Sequence, residues 1–303
     1  MMDQAERLRQ IINNLKQKQM SNQATNINDI KKKTAKVITV TSGKGGVGKT
    51  NITVNLAIAL SELGNRVTIL DADFGLANID VVLGIMPKYT LLNVLHDDKN
   101  IFEVLTDGPG NIKFLSGGSG MEELVKLDKT QIEKFLSNIA LLDSLSDVIL
   151  IDTGAGLSDS VMSFVMAADE VILVTTPEPT SITDAYALIK MVSNRDKNKK
   201  IRVIVNRAES ANEAYDILNK LSMVTSRFLE LNLESLGFIC FDDMVIKAVK
   251  MQKPFTLSFP KCQASKQIKD IGSKIMDIKP DKVNVENTGF KGFVNRLVNL
   301  LNT

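Results

Sequence analysis

The residues with the clearest chemical meaning lie in one short stretch, VITVTSGKGGVGKT. Gly43, Gly48, Lys49 and Thr50 fit the spacing G-x-x-x-x-G-K-[ST] between a β-branched run and a predicted helix over residues 51–63. Small residues let backbone N–H groups turn toward phosphate oxygens, and a helix N-terminus favours negative charge. Lys49 would bridge β- and γ-phosphates, and the Thr50 hydroxyl would bind Mg²⁺. The predicted nucleotide contacts are Gly43, Lys44, Gly45, Gly46, Val47, Gly48, Lys49 and Thr50.

Three aspartates at the ends of apolar runs complete this chemistry. Asp71 and Asp73 stand two apart in TILDADFGLANID, and residues two apart in extended chain face the same side. Both could therefore point toward the phosphates. Asp152 ends the run VILIDTGAG, although an Asp at this position can also cap the next helix.

The elements that must position these residues alternate in type along the chain. Short β-branched runs at 37–41, 67–70, 148–151, 171–175 and 201–205 are separated by helical segments. This pattern predicts an α/β P-loop fold with a mainly parallel central sheet of seven or eight strands and helices on both faces. The predicted parts are an N-terminal helix (1–20), a linker (21–35), the main domain (36–277), a connector (278–289) and a C-terminal helix (290–303).

Composition narrows the class of protein. The chain has 303 residues, of which 44% are hydrophobic and 24% charged, and no apolar run approaches the roughly 20 residues that a membrane span needs. Two cysteines and one histidine exclude a disulfide scaffold, a four-cysteine metal site and a serine-protease triad. We expect a cytoplasmic protein. The net charge is +2, but residues 1–36 carry +5, which suits an acidic partner, nucleic acid, a membrane surface or a solvated leader.

Lys44 is an additional lysine within KGGVGKT, and this loop resembles that of the deviant-Walker ATPases of the MinD/ParA family. The resemblance implies an ATP-bound homodimer in which Lys44 reaches the partner's phosphates and neutralises charge there, as an arginine finger does. It implies that Lys44, Lys49 and Asp73 are catalytic, with Asp73 orienting the attacking water. It also implies that Asp71 and Asp152 join Thr50 around Mg²⁺.

The segment VIVNR ends a strand-like run with Asn206 and Arg207. In the MinD/ParA family an Asn here contacts the adenine edge, so the resemblance implies ATP and ADP as ligands and places both residues in the nucleotide site. Residues 175–190 resemble a MinD segment near the nucleotide and the dimer surface. Relatives carry I-P-x-D where this chain has ICFD, with Cys240 in place of proline.

The opening segment MDQAERLRQII resembles the activator helix of the flagellar-number ATPases of this family, the FlhG group, also called FleN or YlxH. The motif residues are Asp3, Gln4, Ala5, Leu8 and Arg9. In that group the helix stimulates the GTPase FlhF, so the resemblance implies FlhF and basal-body (C-ring) proteins as partners. Helical periodicity alone fits a cap packed on its own domain equally well.

The closing segment GFKGFVNRLVNLLNT carries an apolar stripe. Its members are Phe290, Phe293, Val294, Leu297, Val298 and Leu301. Such a helix is too short to span a bilayer but can lie in its interface, which predicts peripheral binding to the cytoplasmic face of the inner membrane. The stripe also fits a helix folded against the protein body, and the two arrangements could alternate with nucleotide state.

Together these features predict a Mg²⁺-dependent ATPase that dimerises as a switch and controls flagellar number and placement. One rival interpretation is a division-site or cargo-positioning ATPase. Another is an ATP-sensing regulatory module that binds DNA through the basic residues 1–36. An electron-transfer reductase is disfavoured, because Cys240 and Cys262 do not match the cluster-ligand positions of the nitrogenase iron protein.

Overall fold

The structure is a computed structural model that describes residues 34–73, 78–96, 99–117, 138–276 and 289–301. The predicted N-terminal helix lies outside these residues, as do nearly all of the predicted linker and connector.

Eight strands form one sheet in the described residues. They are β1 (Lys36–Thr41), β2 (Val67–Ala72), β3 (Thr106–Asp107), β4 (Lys113–Ser116), β5 (Val148–Thr153), β6 (Glu170–Thr175), β7 (Ile201–Ala208) and β8 (Glu234–Cys240). Their order is β3-β4-β2-β5-β1-β6-β7-β8, and only the β3–β4 pair is antiparallel. The predicted mainly parallel sheet is confirmed, and all five β-branched runs form strands.

Helices connect the strands. In the described ranges they are α1 (Lys49–Glu62), α2 (Asn78–Leu83), α3 (Leu91–His96), α4 (Ile101–Val104), α5 (Leu142–Leu145), α6 (Asp159–Ala167), α7 (Pro179–Arg195), α8 (Ala211–Leu229), α9 (Asp243–Lys250), α10 (Phe255–Ser258), α11 (Gln263–Met276) and α12 (Gly289–Leu301). A 3₁₀ turn covers Pro109–Asn111. None of these helices combines the length and apolar character required to cross a bilayer.

Both faces of the sheet are buried, which explains why its strands read as continuous apolar runs. Within β5, Val148 and Leu150 join a core with α1 and α11, whereas Ile149 and Ile151 join the opposite core with α6 and α12. Successive strand residues point to opposite faces, so one run supplies both cores.

The strand order also determines where the site forms. β5 lies between β2 and β1, and all three run parallel. Their carboxyl ends therefore meet at one edge of the sheet, the usual position of ligand sites in open α/β sheets. The loop after β1, the aspartates at the end of β2 and the aspartate near the end of β5 all lie at this edge.

Candidate functional site

The phosphate-binding loop connects β1 to α1 through backbone conformations that favour glycine. Gly46 and Gly48 have φ angles of 79° and 89°, in the left-handed region. Gly43 is constrained by packing instead, because a Cβ there would collide with the backbone carbonyl of Asp184 in α7. The loop thus turns from β1 into α1 while lying directly against α7, and the N-terminus of α1 faces the loop.

Asp152 near the end of β5 gathers side chains from the first turn of α1. Its Oδ1 accepts hydrogen bonds from Lys49 Nζ at 3.0 Å and Thr53 Oγ1 at 2.9 Å. Its Oδ2 accepts one from Thr50 Oγ1 at 2.6 Å. Asp152 is fully buried and Lys49 is 7% exposed. The charge of each side chain is therefore neutralised by the other in a site that excludes water. The structure brings Lys49, Thr50 and Asp152 into one cluster.

Asp71 lies directly beside this cluster, opposite Asp152 in the β2–β5 register. Its oxygens accept hydrogen bonds from the backbone N–H groups of Asp73 and Ile79, both at 3.1 Å. Burial, and next the negative charge of Asp152, raise the pKa of Asp71 to about 7. Asp71 therefore holds the backbone that follows β2, and its place around Mg²⁺ stays a prediction.

Asp73 lies at the start of the loop after β2. Its Oδ2 accepts a hydrogen bond from Asn78 Nδ2 at 2.9 Å. Its Oδ1 is 3.5 Å from the position that a Cβ on Gly154 would take, so the carboxylate faces the loop after β5. Asp73 is thus positioned between the chain that follows β2 and the loop after β5, and β5 is the strand next to β1. Its catalytic role stays a prediction.

Lys44 is paired within its own chain. Lys44 Nζ donates to Glu178 Oε2 at 2.6 Å and to Thr180 Oγ1 at 2.8 Å. The hydrogen bond from Lys44 holds the pKa of Glu178 below its ordinary value. Glu178 immediately precedes α7, so this contact joins the phosphate-binding loop to the start of that helix.

Asn206 and Arg207, the predicted base-site residues, differ in their surroundings. Asn206 is nearly buried, and its Nδ2 donates to the Val47 carbonyl of the phosphate-binding loop at 2.7 Å. Arg207 is exposed and has a φ of 58°. The structure brings Asn206 to the loop, and contact of Asn206 and Arg207 with adenine stays a prediction.

The predicted membrane stripe is turned into the protein. Five of its six residues, Phe290, Phe293, Val294, Leu297 and Val298, are buried, and Leu301 packs partly against the same core. The ring of Phe293 stacks on Phe290 at 5.6 Å and lies 6.1 Å from Phe164 of α6. This is the folded-back arrangement that the sequence left open. The predicted partner residues Asp3, Gln4, Ala5, Leu8 and Arg9 lie outside the described residues.

Some residues of the site were not singled out from the sequence. Thr53 lies four residues after Lys49, and this helical spacing could have placed it on the same face. Glu178, Thr180 and Asp184 fall within the segment 175–190, which had been assigned to the neighbourhood of the nucleotide without individual roles. Nothing in the sequence pairs Glu178 with Lys44.

The donors at this edge fit a magnesium–nucleotide complex. No cluster of three His, Cys, Asp or Glu side chains suited to a metal occurs in the described part of the chain. Thr50 and Asp152 nevertheless offer two hard oxygen ligands, and Mg²⁺ in phosphate sites commonly uses one or two such ligands with phosphate and water. Lys49 supplies a cation for the phosphates. The site therefore suits Mg²⁺ held jointly by the protein and a nucleotide.

Comparison with known proteins identifies the family. Residues 33–276 match the family model of ParA, described as NUBPL iron-transfer P-loop NTPase. The chain is 46% identical over 239 residues to the antiactivator FleN of Pseudomonas aeruginosa, covering 79% of this chain and 85% of FleN. It is 33% identical over 296 residues to the flagellum site-determining protein YlxH of Helicobacter pylori, covering 93% of this chain and all of YlxH.

A solved structure agrees with this assignment. The septum site-determining protein MinD of Pyrococcus horikoshii OT3, complexed with Mg-ADP, superposes with a TM-score of 0.64 at 27% identity, covering 80% of this chain and 96% of MinD. Members of the MinD/ParA family are P-loop ATPases. The loop, the aspartates and these similarities lead to one assignment: the chain belongs to the MinD/ParA family of P-loop ATPases, and within it to the FlhG group that includes FleN and YlxH.

Proposed function

We propose that this chain is an ATP-dependent dimerising switch ATPase that controls flagellar number and placement. The observation that carries the proposal is the similarity to FleN and to YlxH, whose name describes a flagellum site-determining protein. The similarity extends through the ATPase domain, which contains the candidate site. The switch would work in the cytoplasm and on the cytoplasmic face of the inner membrane.

The chemistry at the site would be hydrolysis of ATP to ADP and phosphate. Lys49 and the loop backbone would hold the phosphates, and Thr50 and Asp152 would hold Mg²⁺. When bound, Mg²⁺ neutralises charge on the β- and γ-phosphates. Asp73 lies beside the loop after β5 and would orient the attacking water. Replacing Asp73 by Ala should preserve ATP affinity but slow turnover at least tenfold, about 1.4 kcal/mol of barrier.

Dimer formation would require Lys44 to exchange partners. In the single chain its ammonium group is held by Glu178 and Thr180. In the proposed ATP dimer it would leave these acceptors for the phosphates bound by the second subunit. Lys44→Ala should bind nucleotide yet lose ATP-dependent dimerisation and turnover in sedimentation and phosphate-release assays. Unchanged dimerisation and turnover would remove Lys44 from the mechanism.

Membrane binding would require α12 to leave its place on the sheet. Its apolar stripe is buried, so the helix binds lipid only after release. Thirteen residues make a helix about 20 Å long, suited to lying in the bilayer interface. Two such helices in a dimer would bind more tightly than one through their effective concentration. ATP should therefore increase the vesicle-bound fraction of the intact chain.

The N-terminal segment would provide the second output. Asp3, Gln4, Ala5, Leu8 and Arg9 would contact the GTPase FlhF and stimulate its GTP hydrolysis, and basal-body C-ring proteins would be further partners. The test compares GTP turnover by FlhF alone, with the intact chain, with the chain lacking residues 1–20 and with Gln4→Ala. We expect stimulation by the intact chain only, with Gln4→Ala weakened.

The result also separates the rival functions. MinD of Pyrococcus horikoshii is a septum site-determining protein, so division-site or cargo positioning is the second candidate. If the intact chain dimerises with ATP but leaves FlhF turnover unchanged, the flagellar proposal fails and that candidate replaces it. Retention on DNA that depends on residues 1–36 would instead indicate a regulatory module.

A further inference from the structure

The carboxylate of Asp143 joins the beginning of the first strand to the beginning of the last helix. Its Oδ1 accepts a hydrogen bond from the backbone N–H of Ala35 at 3.1 Å and another from Phe290 at 2.8 Å. Its Oδ2 accepts a hydrogen bond from the N–H of Lys291 at 3.2 Å. A carboxylate at the N-terminus of α12 meets N–H groups that have no partner within the helix.

Asp169 makes a second link of the same kind. Its Oδ2 accepts the backbone N–H of Val37 at 3.0 Å, and its Oδ1 pairs with Arg296 NH2 at 3.0 Å. Arg296 Nε also donates to the Ala167 carbonyl at the end of α6, at 2.7 Å. The side chains of Asp169 and Arg296 are about one third exposed, so this ion pair alone adds little to stability.

The docked position of α12 has a strict steric requirement. Gly289 has a φ of 79°, and a Cβ there would collide with Asp143 Oδ1 and with the Cβ of Thr34. A glycine is therefore needed for the first turn of α12 to approach both Asp143 and the residue that precedes Ala35. The three segments are in mutual contact.

We infer that Asp143 and Asp169 couple residues 34–37, at the beginning of β1, to the docking of α12. Displacing residues 34–37 removes N–H partners from both carboxylates and loosens the position of α12. Release of α12 in turn leaves the N–H groups of Ala35 and Val37 with less rigid acceptors. The coupling is reciprocal, as thermodynamic linkage requires. A protein partner that displaces residues 34–37 and a membrane that binds α12 therefore assist each other.

The coupling rests on the proposed function and deepens it, because it makes membrane binding by α12 depend on the position of residues 34–37. The contacts themselves do not depend on that function. One half of the test starts at α12: Gly289→Ala in the full chain, without nucleotide or vesicles, should push α12 away from Asp143. Hydrogen–deuterium exchange at the amides of Ala35 and Val37 should then be at least about fivefold faster than in the wild type.

The other half of the test starts at β1. Ala35→Pro removes the N–H that Asp143 accepts without changing α12 itself. Amide exchange at Phe290 and Lys291 should be at least about fivefold faster. More of this variant should sediment with phosphatidylglycerol–phosphatidylethanolamine vesicles. Asp159→Asn is the matched control, since Asp159 is on α6 and pairs only with Arg195 among the described contacts; it should change neither readout.

The outcomes separate the two claims. The coupling is overturned if Gly289→Ala leaves amide exchange at Ala35 and Val37 unchanged and Ala35→Pro leaves it unchanged at Phe290 and Lys291. This holds whatever the result of the vesicle assay. A different result is faster exchange in both variants without vesicle binding by either variant or by the wild type with ATP. That result supports the coupling and contradicts the membrane role. Circular dichroism establishes that each variant is folded. If Gly289→Ala unfolds, Asp169→Asn replaces it, with faster exchange expected at Ala35, whose N–H is bound by Asp143 and not by Asp169.

Discussion

Carboxylates organise both the nucleotide site and the seat of α12, by which we mean the surface around Asp143 and Asp169 where this helix docks. The two sites differ in where the partners of the carboxylates lie along the chain. Asp152 binds Lys49, Thr50 and Thr53, which lie within five consecutive positions of one helical turn. Asp143 binds the N–H groups of Ala35 and Phe290, which lie 108 and 147 positions away from it in opposite directions along the chain.

The difference has consequences for what each region can do. Partners on one helical turn move together, so the nucleotide site keeps its geometry as a unit. The partners of Asp143 on α12, Phe290 and Lys291, lie far from α1 in sequence, so α12 can leave its docked position without disturbing α1. The first arrangement suits catalysis, which needs fixed positions, and the second suits a reversible contact.

The largest expected effect tests the rigid side of this comparison. Asp152→Ala leaves Lys49 buried without its counter-charge and removes the acceptor of Thr50. We expect ATP affinity to fall at least 100-fold by calorimetry, and the free energy of unfolding to fall by about 3–5 kcal/mol in urea. Asp159→Asn, at an exposed pair, is the control and should change neither. Retained ATP affinity would show that Asp152 is dispensable.

A second prediction concerns the apolar contact of α12. Phe293 and Leu297 are fully buried, so replacing both with Glu should expel the helix from its seat or lower the free energy of unfolding by at least about 3 kcal/mol. Leu300→Glu, at a position 37% exposed, is the matched control. Urea unfolding and limited proteolysis measure the effect. Equal behaviour of the two variants would contradict the docked position.

A third prediction concerns how stability depends on pH through Lys199, which lies beside Arg296 of α12. Lys199 donates to the carbonyls of Met166 and Ala168 at the end of α6. Burial, and next the charge of Arg296, lower the pKa of Lys199 to about 8 from its ordinary 10.5. The unfolded chain therefore binds more protons between pH 8 and 10.5, and stability should rise with pH there.

Lys199 should raise the free energy of unfolding by roughly 3 kcal/mol between these pH values, at about 1.4 kcal/mol per pKa unit. Urea unfolding at pH 8 and pH 10.5 measures it as the difference between the wild type and Lys199→Met. Arg296→Gln should reduce the rise, because it removes one cause of the lowered pKa. An identical pH dependence in wild type and Lys199→Met would refute the assignment.

The smallest expected effect concerns the exposed ion pair between Lys44 of the phosphate-binding loop and Glu178. Glu178→Gln weakens the acceptor that holds Lys44, so ATP-dependent dimerisation should become easier, by less than about fivefold because the pair is exposed. Sedimentation at several protein concentrations measures the change. Glu230→Gln, which affects another exposed lysine pair, serves as control. Weaker dimerisation in Glu178→Gln would assign Glu178 to the dimer itself.

Much of the fold and of the nucleotide edge was predictable because the information is local. β-Branched runs predicted five of the eight strands. Of the other three, β3, with two residues, and β4, with four, are too short to show a period, and β8, with the sequence ESLGFIC, has no β-branched run. The loop spacing predicted the roles of Lys49 and Thr50, and the family resemblance placed Asp152 beside Thr50, whereas the Lys49–Asp152 ion pair was not predicted. The pairing of Lys44 with Glu178 was not predictable, because neither residue carries a local signal for the other.

The amino-acid sequence by itself determined the alternation of strands and helices, the phosphate-binding loop and the amphipathic character of the last helix. These follow from residue type and from periods of two and 3.6 residues. Only the tertiary structure decided where the apolar stripe of α12 lies, because an apolar stripe can be buried either against a lipid surface or against a protein core. Its position depends on Asp143, Asp169 and Gly289, and their fit to Ala35, Val37 and Arg296 exists only once distant segments have met.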